Sequence, residues 1–315
     1  MRLYRFIKDW ILIFAILGGI LGYFAYASIP SLAPTHAAVL SAVEVIQPLL
    51  IFLMLFLTFC KVNPRRLRLC RWHWWLLAVQ TGLFLLLAAI VVALPRGGLR
   101  IVLEGAMICF ICPVATAGVV ITRKLGGNAR HITTYTILIN LVVSLIIPAV
   151  VPFVHPQSGM SMWTASVLIL GKVFPLLLLP MVVAFMIRRL SPRLHYRLTH
   201  FKDAPFYLWV VALMLATAVT TRFIMHSNVG LAVELWLVVV AFVSCFAQFW
   251  MGWKIGAVYN DRITAGQSLG QKNTVLAIWM GYTFFTPITS VAGGFYSIFH
   301  NVVNSWQLYK KSHKS

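Results

Sequence analysis

Acidic residues are almost missing from this chain. Only six of its 315 residues are Asp or Glu, and charged residues of both signs make up 10% of the sequence. A soluble globular domain carries roughly 25% charged residues, so the composition excludes that class. The H-E-x-x-H zinc motif and the G-x-S-x-G nucleophile turn are also missing. We therefore expect no catalytic residue, no metal centre and no cofactor, and we disfavour an intramembrane enzyme.

Cysteine is scarce as well, and the basic residues do not form a nucleic-acid motif. Cys109 and Cys112 lie three positions apart inside an apolar run, so we expect free thiols. The net charge is +20, but no zinc-finger spacing and no basic-aromatic RNA motif accompanies it. The Lys and Arg residues instead form short clusters between apolar runs, which is the pattern that orients membrane proteins. We expect the lipid bilayer, and no nucleic acid, among the partners.

Long apolar runs are what the chain has in abundance, since 61% of its residues are hydrophobic. Runs of this length predict membrane-spanning helices, because lipid offers no partner for backbone N–H and C=O groups. The predicted spans are residues 9–28, 39–60, 74–94, 101–124, 131–154, 163–188, 205–225, 229–256, 263–285 and 287–308.

The basic clusters test this count. With ten spans, 21 of the 26 Lys and Arg residues fall on one side of the membrane. Three lie on the other side, and Lys172 and Lys272 lie inside spans. This asymmetry predicts a multi-pass protein of the cell (inner) membrane with both termini in the cytoplasm.

Two of the spans contain a break. Span four carries Pro113 followed by a run of small residues, and span nine reads "GQSLGQKNTVLAI", with Gly266 and Gly270 before Gln271 to Thr274. Proline and glycine favour unwinding, and Asn or Thr can cap a helix that restarts. Ten spans also divide into two halves of five that must have opposite orientation. Inverted repeats with paired broken helices are typical of transporters that bind substrate at mid-membrane.

The motifs "CPVATAGVV", "GGNARHITTYTILINL" and "GQKNTVLAIWMGYTFFTPITSVAGGFYSIFHNVVNSW", in this order, resemble the bile acid:sodium symporter family. The resemblance implies an all-α membrane protein of ten transmembrane helices, arranged as two inverted five-helix repeats over residues 1–154 and 155–315. Helices 4 and 9 would be broken and cross each other. A panel domain would comprise 9–28, 39–60, 163–188 and 205–225, and a core domain 74–94, 101–124, 131–154, 229–256, 263–285 and 287–308. Relatives carry organic anions, driven by sodium.

The resemblance also implies site residues. The positions at which relatives contact the substrate are Thr116, Asn273, Thr274, His300 and Asn301. The equivalents of the sodium sites are Gln80, Thr136, Ser268, Gln271 and Lys272. Several sodium ligands of the family are replaced here: a Ser-Asn pair by Gly118 and Val119, a hydroxyl by Ile132, a Glu by Ser268 and a Gln by Lys272.

Lys272 suggests what replaces sodium. A filled family site sums two sodium ions and one glutamate to +1, and one lysine without the glutamate gives the same sum. We hypothesise that the Lys272 ammonium occupies the place of a sodium ion, with Gln80 and Gln271 as oxygen partners. Two alternatives stay open: a lysine that titrates and couples transport to protons, and a lysine that snorkels to the cytoplasm.

The sequence thus predicts a secondary transporter of a small organic anion, working by alternating access with impaired or absent sodium coupling. A proton-coupled or facilitative transporter and a transporter-like anion sensor are the alternatives.

Overall fold

Helices account for nearly all of the regular structure. The structure is a computed structural model that describes residues 11–156, 159–201 and 204–313. Within these residues there are three short 3₁₀ helices, Pro30–Thr35, Pro64–Arg66 and Pro287–Thr289. The α-helices are α1 (Ile11–Ala27), α2 (His36–Cys60), α3 (Arg71–Ala93), α4 (Gly98–Ile111), α5 (Gly118–Lys124), α6 (Ala129–Val154), α7 (Met162–Leu190), α8 (Pro192–His200), α9 (Ala204–Met225), α10 (Leu231–Val258), α11 (Arg262–Gly270), α12 (Thr274–Phe284) and α13 (Ser290–Ser312).

Six helical segments in the described part of the chain are long and apolar enough to cross a membrane. They are Pro30–Cys60, Arg71–Ala93, Ala129–Val154, Met162–Leu190, Ala204–Met225 and Leu231–Val258. The other four predicted spans overlap α1, the α4–α5 pair, the α11–α12 pair and α13. The basic residues Arg2, Arg5, Lys8, Lys202 and Lys314 lie outside the described residues.

The outward surface of the helices is apolar, as a bilayer requires. Large apolar side chains such as Leu86, Phe153 and Trp163 are exposed. The buried side chains include apolar residues, such as Ile51 and Phe84, together with many polar ones. Burial of polar groups is costly unless they are paired. A cluster of buried polar side chains therefore indicates the functional region of the protein.

Packing among the helices falls into two sets. The helices α1, α2, α7 and α9 are linked by contacts of α1 with α9, of α2 with α7 and of α2 with α9. The helix α10 packs against α4, α11 and α13, while α3 packs against α4, and α12 packs against α13. The helix α6 contacts α3, α5 and α11 as well as α7, so it joins the two sets, and α12 also contacts α2 and α9.

The glycines of span nine serve helix packing. Gly266 and Gly270 both lie inside α11, not in its break. A Cβ on Gly270 would lie 2.3 Å from the Phe249 ring, and one on Gly266 would lie 2.1 Å from the Trp253 ring. Both glycines let α11 approach α10 closely, and their contribution to the break that follows Gly270 stays a prediction.

Candidate functional site

The two interrupted helices meet at their breaks. The first connector, residues 112–117, separates α4 from α5, and the second connector, residues 271–273, separates α11 from α12. The two connectors run antiparallel through a bridge between Val114 and Lys272. Ala115 N donates to Gln271 O at 2.9 Å, and Asn273 N donates to Pro113 O at 2.8 Å. Backbone groups released by the breaks are thus satisfied by the opposite connector, as buried backbone must be.

The restarted helix α12 is capped by its own sequence. Asn273 is the N-cap, and its Oδ1 accepts a hydrogen bond from Leu276 N at 3.3 Å. The positive end of the α12 dipole therefore lies beside the second connector. The Nδ2 group of Asn273 is buried and has no hydrogen-bond partner in the described structure. This leaves a donor available at the crossing.

Lys272 is buried at the crossing. Its side chain is 1% exposed, and Nζ donates to Phe110 O at 3.1 Å. In a continuous helix Phe110 O would accept from residue 114, which here lies in the bridge between the connectors. The Nζ group therefore donates to a carbonyl group at the negative end of the α4 dipole. A lysine that snorkels to the surface is excluded by this burial.

The oxygen partners expected for Lys272 differ from those observed. Gln80 Oε1 accepts from the Tyr135 hydroxyl at 2.9 Å. Gln80 Nε2 donates to the carbonyl oxygens of Ile111 and Cys112, each at 3.1 Å. Gln271 Oε1 is buried without a hydrogen-bond partner in the described structure. Gln80 and Lys272 thus have similar roles. Together they donate hydrogen bonds to three successive carbonyl groups at the end of α4.

A cavity of about 1660 Å³ opens beside the crossing. All five residues expected to contact the substrate line it, namely Thr116, Asn273, Thr274, His300 and Asn301. His300 Nδ1 is buried and has no hydrogen-bond partner in the described structure, whereas Asn301 Nδ2 donates to Ser297 O at 2.7 Å. The structure therefore brings these residues to one space, and their contact with a substrate remains a prediction.

The residues expected at the equivalents of the sodium sites do not all line the cavity. Thr136, Gln271 and Lys272 line the cavity, and the Thr136 hydroxyl donates to Ile132 O at 2.8 Å. Gln80 and Ser268 are fully buried outside the cavity wall. Ser268 Oγ has no hydrogen-bond partner within the described part of the chain. A carboxylate introduced at position 268 would thus be buried near the second connector.

The cavity wall is strongly cationic. Besides Lys272, six basic residues line it: Lys61, Arg66, Arg71, Arg123, Lys124 and Arg130. The acidic residue in its wall is Asp261, whose Oδ2 lies 2.6 Å from His131 Nδ1 and accepts from Trp72 Nε1 at 3.2 Å. Sequence reasoning assigned these basic residues to membrane orientation alone. Most of these basic residues directly follow span two or the broken span four, and this position could have indicated that they also face the site.

The mouth of the cavity holds a thiol that stays neutral. Burial and the Asp261 carboxylate raise the pKa of the Cys70 thiol above its ordinary value, against the lowering effect of Arg68. Cys70 therefore adds no negative charge to the cationic wall.

A second polar cluster lies at the opposite end of α4. Its centre is Glu104, whose side chain is 1% exposed. Its carboxylate lies 3.4 Å from Arg100 Nε and 3.1 Å from His155 Nε2, and it accepts from Thr286 N at 3.2 Å. Groups at the end of α6 and in the α12–α13 linker thus cover this carboxylate.

An apolar helical bundle with two interrupted helices that meet beside a cavity with basic residues in its wall is typical of a multi-pass membrane transporter. Residues 10–298 match the SBF-like CPA transporter family. The chain belongs to this family, which confirms its resemblance to the bile acid:sodium symporters. No curated protein matches the chain.

Proposed function

We propose that this protein carries a small organic anion across the cell (inner) membrane by alternating access, without a coupled sodium ion. Its ten spans form two inverted repeats, residues 1–154 and 155–315, with both termini in the cytoplasm. The two packing sets support a division into a panel of spans 1, 2, 6 and 7 and a core of the remaining spans. The family assignment supports transport as the activity.

The charge of the cavity supports an anionic substrate. Seven basic side chains and one carboxylate line it. An anion near the crossing would also meet the positive end of the α12 dipole and the unpartnered Asn273 Nδ2. A cation would meet repulsion from the same groups.

The single observation that carries the coupling mechanism is the position of Lys272. Its ammonium is buried where the broken helices cross, and it neutralises the end of α4 from within the cavity wall. Insertion of a lysine at mid-membrane costs about 3 kcal/mol, so a surface role does not account for it. In our proposal this tethered cation supplies, in every state of the cycle, the positive charge that a mobile sodium ion supplies in relatives.

Flux into proteoliposomes tests this proposal. Purified protein is reconstituted, and uptake of radiolabelled carboxylates and sulfonates is measured in sodium and in choline, with and without a pH gradient. We expect saturable uptake at the same rate in sodium and choline, and none in empty liposomes. Uptake that requires sodium would contradict the tethered-cation mechanism.

The same assay separates the alternatives. Uptake that collapses when the pH gradient is dissipated would indicate proton coupling, as the alternative of a titrating Lys272 requires. Saturable binding of an anion without any uptake would identify a sensor with a transporter fold.

A further inference from the structure

The helix α8 has one side packed against the protein. His195 Nε2 lies 2.8 Å from Cys60 O, at the end of α2, and Leu198 packs against the main core cluster. The helix also contacts α7, which it follows in the chain. These contacts hold α8 at the end of the bundle that carries most of the basic loops.

The opposite side of α8 is exposed and basic. Arg193, Tyr196, Arg197 and His200 are all exposed and fall at helical spacings of three, four and seven residues, so they share one face. We refer to these four residues as the α8 stripe. The Tyr196 and His200 rings are 4.1 Å apart, which keeps the aromatic part of the stripe together.

Exposed apolar side chains border the stripe. Leu190 is 75% exposed, Phe201 is 62% exposed and Leu194 is 43% exposed. A short helix that presents basic residues beside exposed apolar ones, at the end of a membrane bundle, is suited to the boundary between headgroups and acyl chains.

The charge of the stripe has no acidic partner among the residues that the structure describes. The sequence contains no Asp or Glu between Glu104 and Asp203. Among the described residues, no carboxylate forms an ion pair with Arg193 or Arg197. The described part of the chain thus leaves the stripe open to negative charge from outside the protein.

We propose that the α8 stripe binds the headgroups of anionic phospholipids. Two guanidinium groups can each hold phosphate oxygens through paired N–H donors, and the exposed tyrosine lies where aromatic side chains favour the interface. Because α8 is attached to α2 and α7, bound lipid would fix these two helices relative to the membrane. The binding itself requires only the exposed stripe and does not depend on the proposed transport mechanism.

The test measures lipid binding directly. Purified protein in a neutral detergent is titrated with fluorescent phosphatidylglycerol, and unlabelled phosphatidylglycerol or phosphatidylcholine is used as competitor. Each basic residue near an anionic surface strengthens binding about fivefold, so R193Q/R197Q should weaken phosphatidylglycerol binding about 30-fold. Phosphatidylcholine should compete poorly with the wild-type protein.

A matched variant controls for total charge. Arg65 and Arg68 are exposed in another basic loop, and neither lines the cavity. R65Q/R68Q removes the same charge and should retain wild-type affinity. Equal affinity of R193Q/R197Q and wild type, or equal losses in both double variants, would overturn the proposal. Thermal unfolding of each variant in the neutral detergent confirms folding, and failure of anion uptake would leave this binding result unaffected.

Discussion

Replacing Lys272 with Met separates a stabilising role of this side chain from an electrostatic one. Met has a similar length but removes the ammonium that bonds to Phe110 O at 3.1 Å. Loss of a charged hydrogen bond costs about 1.5–3 kcal/mol. Relief of the buried ammonium's desolvation offsets about 2.5–3.5 kcal/mol. The two terms nearly cancel, so we expect little change in Tm in detergent.

Anion affinity should fall steeply in the same variant. An anion held about 4–8 Å from the ammonium gains about 4 to 2 kcal/mol at an effective dielectric constant of about 20. Removal of the charge should therefore weaken binding between about 1000-fold and about 30-fold. Half-saturation of uptake measures this loss, and so does quenching of tryptophan fluorescence, since Trp72 and Trp209 line the cavity.

The control for this experiment is Lys172→Met. Lys172 is also a lysine within a predicted span, but its side chain is exposed on α7. Its replacement should leave anion affinity unchanged. A Lys272→Met variant with wild-type affinity and a lowered Tm would refute the reasoning, because the lysine would then serve stability alone.

Three further predictions concern the framework of the site, and thermal unfolding in detergent measures each of them. Gly270→Ala should destabilise the protein by about 1–3 kcal/mol, because its Cβ would lie 2.3 Å from the Phe249 ring; Gly171→Ala, in open space, should not, and equal effects would contradict the packing argument. Gln80→Leu should lower the free energy of unfolding by about 3 kcal/mol, since the carbonyl groups of residues 111 and 112 lose their side-chain donor. An unchanged Tm would show that other groups satisfy these carbonyl groups. Asn273→Ala should cost about 1 kcal/mol through loss of the α12 cap, and Asn273→Ser, an uncharged capping residue, should retain that stability. Equal losses in both variants would exclude capping as the cause.

Much of the helical framework could be predicted from the sequence. Apolar runs long enough to cross a bilayer leave the backbone no alternative to helix, so the ten predicted spans overlap helices or interrupted pairs of helices. The breaks were detectable because Pro113 lacks a donor and because Asn273 is a good cap in an apolar run.

The contacts at the crossing could not be predicted in the same way. Lys272 finds its acceptor in Phe110 O, a backbone group, and side-chain identity does not reveal which carbonyl groups a break leaves free. The roles of Gly266 and Gly270 depend on rings that α10 places against them, which is a tertiary contact. The basic cavity wall was missed for a related reason: the same arginines satisfy both membrane orientation and the cavity, and their spacing does not separate the two uses.

The most direct test of the central claim is the sodium response of the double variant K272Q/S268E. This variant removes the tethered cation and introduces the glutamine and glutamate that the resemblance to the bile acid:sodium symporters implies at these two positions. Anion uptake by the wild-type protein should be equal in sodium and choline, whereas uptake by the double variant should require sodium. Sodium-independent uptake by a folded double variant, or sodium-dependent uptake by the wild type, would contradict the account.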